Sequence, residues 1–310
     1  MYSPLLTALI FSKNSSSTII AAAKSVSFAD EVIVIDMMSQ DDSVEKVREY
    51  VTKVVSHPDL GYVEPVRNFA LSQAKGRWIL ILDADESVPV ELRKALQDII
   101  HMDQSGSPVS DCYYLPRKNI IFSKWVKSAG WWPDKVLRFF RKGHVEWSEA
   151  IHSVPFTRGT VAELPASEAN AIHHENYQSI SQFVDRLNRY TSIQANEKSE
   201  TSAASESELG DSALNLFRKE LMSRLFDRSG INGGMHGISL SLLQSFSEVI
   251  VALKLWEKQG FPGQQRVEQS ALADLNLLKR DLAYWIADYH VNKKTGLAQL
   301  IWRVRRKLCV

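Results

Sequence analysis

The stretch Arg77–Pro89, RWILILDADESVP, limits the possible folds of this chain more than any other segment. The five residues before Asp83 are all large and apolar, and Asp83, Asp85 and Glu86 follow them directly. A short apolar run that ends in this way is typical of a buried parallel strand that opens into a loop. Because ligands of open α/β sheets bind at the carboxyl ends of the strands, we expect a ligand at this loop.

Three neighbouring carboxylates at a strand end indicate a divalent cation. Two acids at positions i and i+2 can place one carboxylate on the ion while the other reaches a sugar hydroxyl. Mg²⁺ or Mn²⁺ held by one or two carboxylates takes its remaining ligands from water and substrate phosphates. The alternative is that the acids only solvate the strand end and cap the helix that opens near Pro89. Since capping needs one acid and not three, we favour the metal site.

Length and composition limit the class of protein that this chain can be. Of 310 residues, 45% are hydrophobic and 24% are charged, which predicts a soluble globular protein with an ample core. The net charge of +1 argues against a nucleic-acid binder. Cys112 and Cys309 lie far apart and predict neither a disulfide framework nor a metal site, so a cytoplasmic location is expected. No signal peptide is predicted, and no uninterrupted apolar run reaches the ~18 residues of a transmembrane helix.

The first hundred residues alternate between predicted strands and predicted helices. The strands are 5–11, 31–36, 53–56 and 78–82, and the helices are 17–26, 41–50, 64–74 and 89–100. This alternation implies right-handed crossovers and a mostly parallel sheet. The predicted fold class is therefore α/β, with a Rossmann-like nucleotide-binding half.

Polar residues follow three of these strands at one predicted edge of the sheet. Lys13 and Asn14 follow the first strand, Asp36 ends the second, and Asp83 and Asp85 follow the fourth. A nucleotide would lie along this edge, although for Asp36 alone a role as a turn residue is equally compatible. The chain has no GxGxxG and no GxxxxGK[ST] motif, so neither a dinucleotide fingerprint nor a P-loop is predicted.

In chain order, the segments SKN, ADEVIVID, RNFALSQAKGRWILILDADE, GWWPDKVLRFFRKG and AIH resemble family 2 glycosyltransferases. The resemblance is greatest to the lipopolysaccharide core β-glucosyltransferase group and extends from the first strand to Trp256. It implies a GT-A fold and an inverting, metal-dependent transfer of a hexose from a UDP-type nucleoside diphosphate sugar. The implied acceptor is a glycolipid or a core-like oligosaccharide.

The same resemblance implies roles for individual residues. Asp36 and Asp83 match positions that contact the nucleoside, and Asp85 matches the position that contacts the metal, with Asp83 as its neighbour in the metal-binding motif. Arg67 opens the most specific block, which ends at Glu86, and we place it with the donor-binding residues.

The chain departs from the family pattern in three places. The usual Asp-Ser-Gly-Ser-Thr-Asp turn is DMMSQD here, over 36–41, and Ser15 and Ser153 stand where the family usually has Glu. These departures motivate a non-catalytic alternative, a nucleotide-sugar-binding or scaffold protein. A third alternative is a metal-dependent nucleotidyltransferase. Such an enzyme would show a loop rich in Gly and basic residues after the first strand, whereas the segment here, FSKNSSST, contains no Gly and one basic residue.

The aromatic region from Asp111 to Val161 supplies candidates for the acceptor side. An inverting transfer needs a carboxylate or imidazole that takes the proton of the acceptor hydroxyl. Asp134 and Glu149 are the candidates, with His152 next, and their spacing does not distinguish them. Arg138 could meet the diphosphate or an acidic acceptor, and His174 could complete the metal shell.

The predicted domains are a GT-A domain over 1–196, a linker or mobile loop over 197–212 and a helical C-terminal region over 213–310. The linker is rich in Ser, Ala and Glu, with no large aliphatic residue until Leu209. Amphipathic spacing beyond it predicts helices, which makes the C-terminal region a helical appendage.

The last twenty residues carry six cations and no acid. An apolar stripe at helical spacing, Leu297, Leu300, Ile301, Val304 and Leu308, lies among these cations. This pattern predicts an interfacial helix on an anionic membrane surface, which would make the protein peripheral on the inner face of the membrane. The alternative is a last helix that packs on the preceding one with its basic face in water. The sugar, the linkage and the oligomeric state stay open.

Overall fold

The computed structural model describes residues 4–148, 154–200, 213–262 and 267–308. The chain divides into two compact units, one formed by 1–125 with 132–178 and the other by 126–131 with 179–310. The sequence placed the domain end at residue 196, whereas this division falls before the helix Ile180–Glu200. That helix belongs to the second unit because it packs on a later helix of the same unit. Of the predicted linker, 197–200 are helical and 201–212 lie outside the described residues.

The first unit is built on a ten-stranded mixed sheet. Its strands are β1 Leu6–Ser12, β2 Glu31–Asp36, β3 Lys53–Ser56, β4 Trp78–Asp83, β5 Glu86–Ser87, β6 Cys112–Ile121, β7 Lys124–Trp125, β8 Asp134–Arg141, β11 Val161–Glu163 and β12 Ile172–Tyr177. The order is β3-β2-β1-β4-β8-β6-β12-β5, with β7 and β11 also paired to β6. Two further strands, β9 Val145–Glu146 and β10 Phe156–Thr157, form a separate pair.

Helices cover both faces of the parallel half of this sheet. They are α1 Ile19–Ser25, α2 Ser43–Val47 with a 3₁₀ turn Arg48–Tyr50, α3 Glu64–Gln73 and α4 Val90–Gln104. Alternate residues of β1, β2 and β4 pack with α1 and α4 on one face and with α3 on the other. Because both faces are covered, these strands are apolar along almost their whole length, as the sequence predicted.

Strand register brings the polar strand ends together. The first four strands are parallel, and Ser12 lies beside Asp36 while Phe11 lies beside Asp83. The strand β8 runs antiparallel to β4, and β6 runs antiparallel to β8, so residues of all three strands meet near the end of β4. The predicted convergence of strand ends at one sheet edge is therefore observed.

The second unit is helical. It contains α5 Ile180–Glu200, α6 Ala213–Met222 followed by a π-helical turn Ser223–Asp227, a 3₁₀ turn Gly230–Gly233, α7 Gly234–Lys258, α8 Val267–Lys293 and α9 Gly296–Leu308. Aromatic pairs join its helices: Phe217 packs on Phe246 with ring centroids 5.2 Å apart. The predicted helical appendage is thus present in the described residues.

One helical stretch in the described part of the chain, Gly230–Lys258, is long and apolar enough to cross a membrane by length and composition alone. Only 22% of its most apolar window is buried. Serines and Gln244 interrupt the stretch, which is why no uninterrupted apolar run was found in the sequence.

Candidate active site

The acidic turn after β4 is fixed by its neighbours. The backbone N–H of Asp83 donates to Glu86 Oε2 at 3.0 Å, which closes the turn. The next strand, β5, pairs with β12, and the N–H of Glu175 donates to the carbonyl oxygen of Asp85 at 2.9 Å. The carboxylates of Asp83, Asp85 and Glu86 are therefore held on a rigid frame and do not belong to a free loop.

Arg138 of β8 binds two of these acids. Its side chain is 3% exposed, and Nη2 donates to Asp83 Oδ2 at 2.5 Å and to Glu86 Oε1 at 3.0 Å. Burial alone would raise the pKa of the Asp83 carboxyl, but the charges of Arg138, Arg67 and Arg117 outweigh burial and hold this pKa well below its usual range. Asp83 is therefore ionised and paired at neutral pH.

Arg117 extends this ion-pair network to Asp134. Its Nη1 donates to Glu86 Oε1 at 3.1 Å, while Nε and Nη2 lie 2.8 and 2.7 Å from Asp134 Oδ2. The same oxygen accepts a hydrogen bond from Asn119 Nδ2 at 2.8 Å. Asp134, a predicted base, is thus anchored through one carboxylate oxygen.

Sequence reasoning missed Arg117 and Asn119. The signal available was their i, i+2 spacing in the strand segment LPRKNII, which places both side chains on one face of β6. A polar pair on one face of an otherwise apolar strand suggests a partner on the neighbouring strands.

His174 of β12 stands beside Asp85. Its Nδ1 lies 2.7 Å from Asn119 Oδ1, and its Nε2 lies 3.5 Å from Asp85 Oδ1. Asn119 uses its amide nitrogen on Asp134, so its oxygen accepts here and the proton belongs on Nδ1. In the neutral ring Nε2 then carries a lone pair next to the Asp85 carboxylate, which is the tautomer that binds metal ions.

Arg67 lies buried on α3 near the same edge. Its guanidinium carbon is 5.6 Å from the ring centroid of Phe11 and 5.2 Å from that of Trp147. Burial lowers the pKa of Arg67, and the nearby charge of Arg138 lowers it further. An aromatic bracket of this kind holds a guanidinium in place and leaves its N–H groups available.

Three buried polar atoms at this edge have no hydrogen-bond partner within the described residues. They are Ser12 Oγ, Arg67 Nε and Arg138 Nε. Because buried polar groups are normally hydrogen-bonded, these atoms fit a polar ligand bound at the strand ends.

The loops after β1 and β2 are hydrogen-bonded to each other beside Asp36. The N–H of Ser39 donates to both carboxylate oxygens of Asp36, at 3.3 and 3.2 Å. Asn14 donates its N–H to Ser39 Oγ at 2.9 Å, and its Oδ1 accepts from the N–H of Gln40 at 2.7 Å. Lys13, the other predicted residue of this loop, forms an ion pair with Asp59.

Met38 occupies the position of the glycine in the usual family turn. Its φ is 55°, in the left-handed region, and its side chain is 59% exposed. The backbone therefore keeps a conformation that favours glycine although the residue is methionine. A methionine in this conformation costs conformational energy that a glycine would not.

Glu149 and His152 are outside the described residues, so their predicted roles stay predictions. Over the described ranges, no group of three or more His, Cys, Asp and Glu side chains is placed to hold a metal ion. Within the same ranges, the candidate metal position consists of the Asp85 and His174 pair.

Residues 7–140 match the profile of Glycosyl transferase family 2. An uncharacterized glycosyltransferase of Rickettsia felis is 33% identical over 199 residues, which cover 61% of this chain and 69% of that protein. The chain belongs to glycosyl transferase family 2. This membership confirms the family resemblance found in the sequence, and the observed mixed sheet and C-terminal helices confirm the predicted α/β GT-A fold with a helical appendage. The lipopolysaccharide core subgroup stays a prediction.

Two further similarities are more limited. An uncharacterized glycosyltransferase of Rickettsia typhi is 31% identical over 201 residues, or 61% of this chain and 66% of that protein, so the chain spans about two thirds of its relatives. The mannosyltransferase PcManGT of Pyrobaculum calidifontis, solved with GDP-Man and Mn²⁺, is 13% identical with a TM-score of 0.42. That match covers 99% of this chain and 87% of the other.

Replacing Arg138 tests the network around Asp83. We expect Arg138→Gln to lower the free energy of unfolding by about 3–5 kcal/mol at pH 7, because it leaves Asp83 and the buried Glu86 without their shared counter-charge. Lys135→Gln is the matched control on the same strand. It removes a half-exposed ion pair to Glu163 and should cost less than about 1 kcal/mol.

The Arg138 effect should depend on pH. The lowered pKa of Asp83 contributes stability that is present above its ordinary value of 3.8 and is lost as pH falls through the folded-state pKa. The difference between wild type and Arg138→Gln should therefore shrink below about pH 4. A difference in denaturant midpoints that grows on acidification would contradict the assignment.

Restoring glycine at position 38 tests the strain in the DMMSQD turn. A left-handed conformation costs a non-glycine residue about 1–2 kcal/mol, and glycine's chain entropy offsets part of the relief. We expect Met38→Gly to raise the free energy of unfolding by about 0.5–1 kcal/mol, measured by denaturant titration. Met37→Gly, at a neighbour that packs on the core, should destabilise instead. If both variants lower the free energy of unfolding by the same amount, Met38 is not strained.

Proposed function

We propose that this chain is an inverting, metal-dependent hexosyltransferase. It moves a hexose from a UDP-type nucleoside diphosphate sugar to a glycolipid or lipopolysaccharide-core-like oligosaccharide. The observation that carries the proposal is the Asp85 and His174 pair beside the arginines at the end of β4. Family membership supports glycosyl transfer, while the hexose, the acceptor and the inversion rest on the resemblance of the motifs.

The Asp85 and His174 pair fits a site for Mg²⁺ or Mn²⁺. Two ligand atoms 3.5 Å apart can both reach one ion that binds its ligands at ~2.1 Å. Asn119 fixes the His174 ring through Nδ1, as the outer partners of ligating histidines do. When bound, the ion would neutralise the negative charge of the departing diphosphate. With two protein ligands among the described residues, the remaining positions would go to the donor phosphates and water.

The neighbouring residues suit the rest of the donor. Asp36 and Asp83 lie at the ends of β2 and β4, on either side of β1, where a nucleoside would bind. Asp83 shares its Oδ2 with Arg138, so we assign it to donor binding more than to the metal. The Nε atoms of Arg67 and Arg138 could donate to phosphate oxygens.

The transfer itself is a single displacement. The acceptor hydroxyl oxygen forms a bond to the anomeric carbon as the bond from that carbon to the diphosphate oxygen breaks, and the hydroxyl proton passes to a carboxylate. Asp134 and Glu149 are the proposed bases. For Asp134 the proton would go to Oδ1, because Oδ2 is occupied by Arg117 and Asn119.

A nucleotide-sugar-binding protein without catalysis is the second candidate. It is favoured by Ser153, which stands where the family usually has Glu. Product formation against a panel of UDP- and GDP-sugars separates the two. Donor binding by calorimetry with no transfer or hydrolysis of any donor would favour the binding protein.

Replacing Asp85 tests the metal. We expect Asp85→Asn to lower Mn²⁺-dependent transfer by at least about 100-fold and to leave the thermal midpoint close to wild type, since Asp85 lies in a turn and not in the core. Asp98→Asn, at an exposed acid on α4, is the control and should stay fully active. Full activity of wild type in excess chelator, or of Asp85→Asn with Mn²⁺, would exclude the metal role.

Amide variants test the base. One of Asp134→Asn and Glu149→Gln should lower kcat by ~10²–10⁴-fold with little change in the donor KM, because a general base acts in the transition state. Pre-steady-state product bursts would show whether chemistry is the slow step. If both variants turn over within a few-fold of wild type, neither is the base and His152 is tested next.

A further inference from the structure

The C-terminal helix α9 packs on α8 through one row of side chains. Gln299 Nε2 donates to the carbonyl oxygen of Val291 at 3.0 Å, and the Trp302 ring stacks on His290 with centroids 4.1 Å apart. One turn further, Arg306 forms an ion pair with Asp288 on α8. The residues at 299, 302 and 306 thus define the covered face of α9.

The apolar stripe lies on the opposite side. Its members Leu297, Leu300, Ile301, Val304 and Leu308 are 49 to 79% exposed. At about 100° per residue, these positions are centred roughly half a turn away from 299, 302 and 306. The helix therefore packs on α8, which is one of the two alternatives predicted from the sequence. It does so through a row of polar and aromatic side chains and leaves its aliphatic row exposed.

Cations flank this stripe on both sides. Arg303 and Lys307 project on one flank and Arg305 on the other, and all three are exposed. No acid occurs between Tyr289 and Leu308, so the helix offers no negative charge of its own. Single exposed aliphatic residues are ordinary, whereas five on one face with a cationic rim form the pattern of a helix that lies in a bilayer surface.

We propose that α9 binds the surface of an anionic lipid bilayer, with the aliphatic stripe inserted among the acyl chains and the flanking cations at the headgroups. A bilayer satisfies both features at once. Two copies of this chain packed stripe to stripe would instead bring the cationic rims together with no acid on either helix to pair them. The proposal is independent of the donor and acceptor.

Vesicle flotation of the full chain tests the proposal. We expect wild type to float with vesicles of 30% phosphatidylglycerol in phosphatidylcholine at low salt. It should not float with phosphatidylcholine alone, and ~1 M NaCl should release it, because the Debye length is then ~3 Å. Arg303→Gln with Lys307→Gln should weaken partitioning by about 25-fold, roughly fivefold per cation.

A matched pair of double variants locates the contact. Leu300→Asp with Val304→Asp should lose flotation, whereas Leu272→Asp with Leu275→Asp, at similarly exposed positions on α8, should float like wild type. Circular dichroism checks that each variant is folded. The proposal would be overturned if the α9 variant floats, if wild type does not float, or if both double variants lose flotation.

Two other outcomes also overturn it. Binding that resists both salt and alkaline carbonate and yields only to detergent would assign the membrane contact to a spanning segment such as α7. A concentration-dependent dimer that disappears in the α9 variant, without vesicle binding, would assign the stripe to a second copy of the chain.

Discussion

The buried contact of Arg138 with Asp83 and Glu86 is the interaction on which the site depends. From Glu86 the network continues through Arg117 to Asp134, from Asp134 through Asn119 to His174, and from His174 to Asp85. One connected set of ion pairs and hydrogen bonds thus joins three strands and the acidic turn. A buried charge without its partner is costly, so each side chain of the network holds the next one in place. The candidate metal ligands Asp85 and His174 are therefore positioned by a network that begins at Arg138.

Such a network is stabilising only when it is complete. The orphaned Nε atoms of Arg67 and Arg138 show where it is incomplete within the described residues. A diphosphate would supply acceptors at that place. The protein therefore holds its charged groups in advance of binding, so that little reorganisation is needed when a charged donor arrives. The turn at Met38, beside Asp36, is a second place where the protein is less stable than it could be, because a glycine there would relieve the backbone strain.

Much of this fold could be predicted from the sequence, and the reason is burial on both sheet faces. The strand 31–36 was predicted with its observed bounds because every residue in it is buried. The predicted linker begins at residue 197, whereas α5 is helical as far as Glu200 and packs on α7, a long-range contact that no local pattern reveals. Arg138 and Glu86 are 52 residues apart, so no local pattern could pair them. The exposed side of α9 was likewise undecided until its contact with α8 was known.

If a metal on Asp85 and His174 completes the donor site, Mn²⁺ and UDP should bind cooperatively, and Mn²⁺ titrations with and without UDP measure this. Electron paramagnetic resonance of free Mn²⁺ gives both affinities without any need for the acceptor. Because the protein offers two ligands and the diphosphate would supply others, UDP should tighten Mn²⁺ binding by at least about tenfold, and His174→Gln should abolish the gain. Equal Mn²⁺ affinity with and without UDP would contradict a metal shared between this pair and the donor diphosphate.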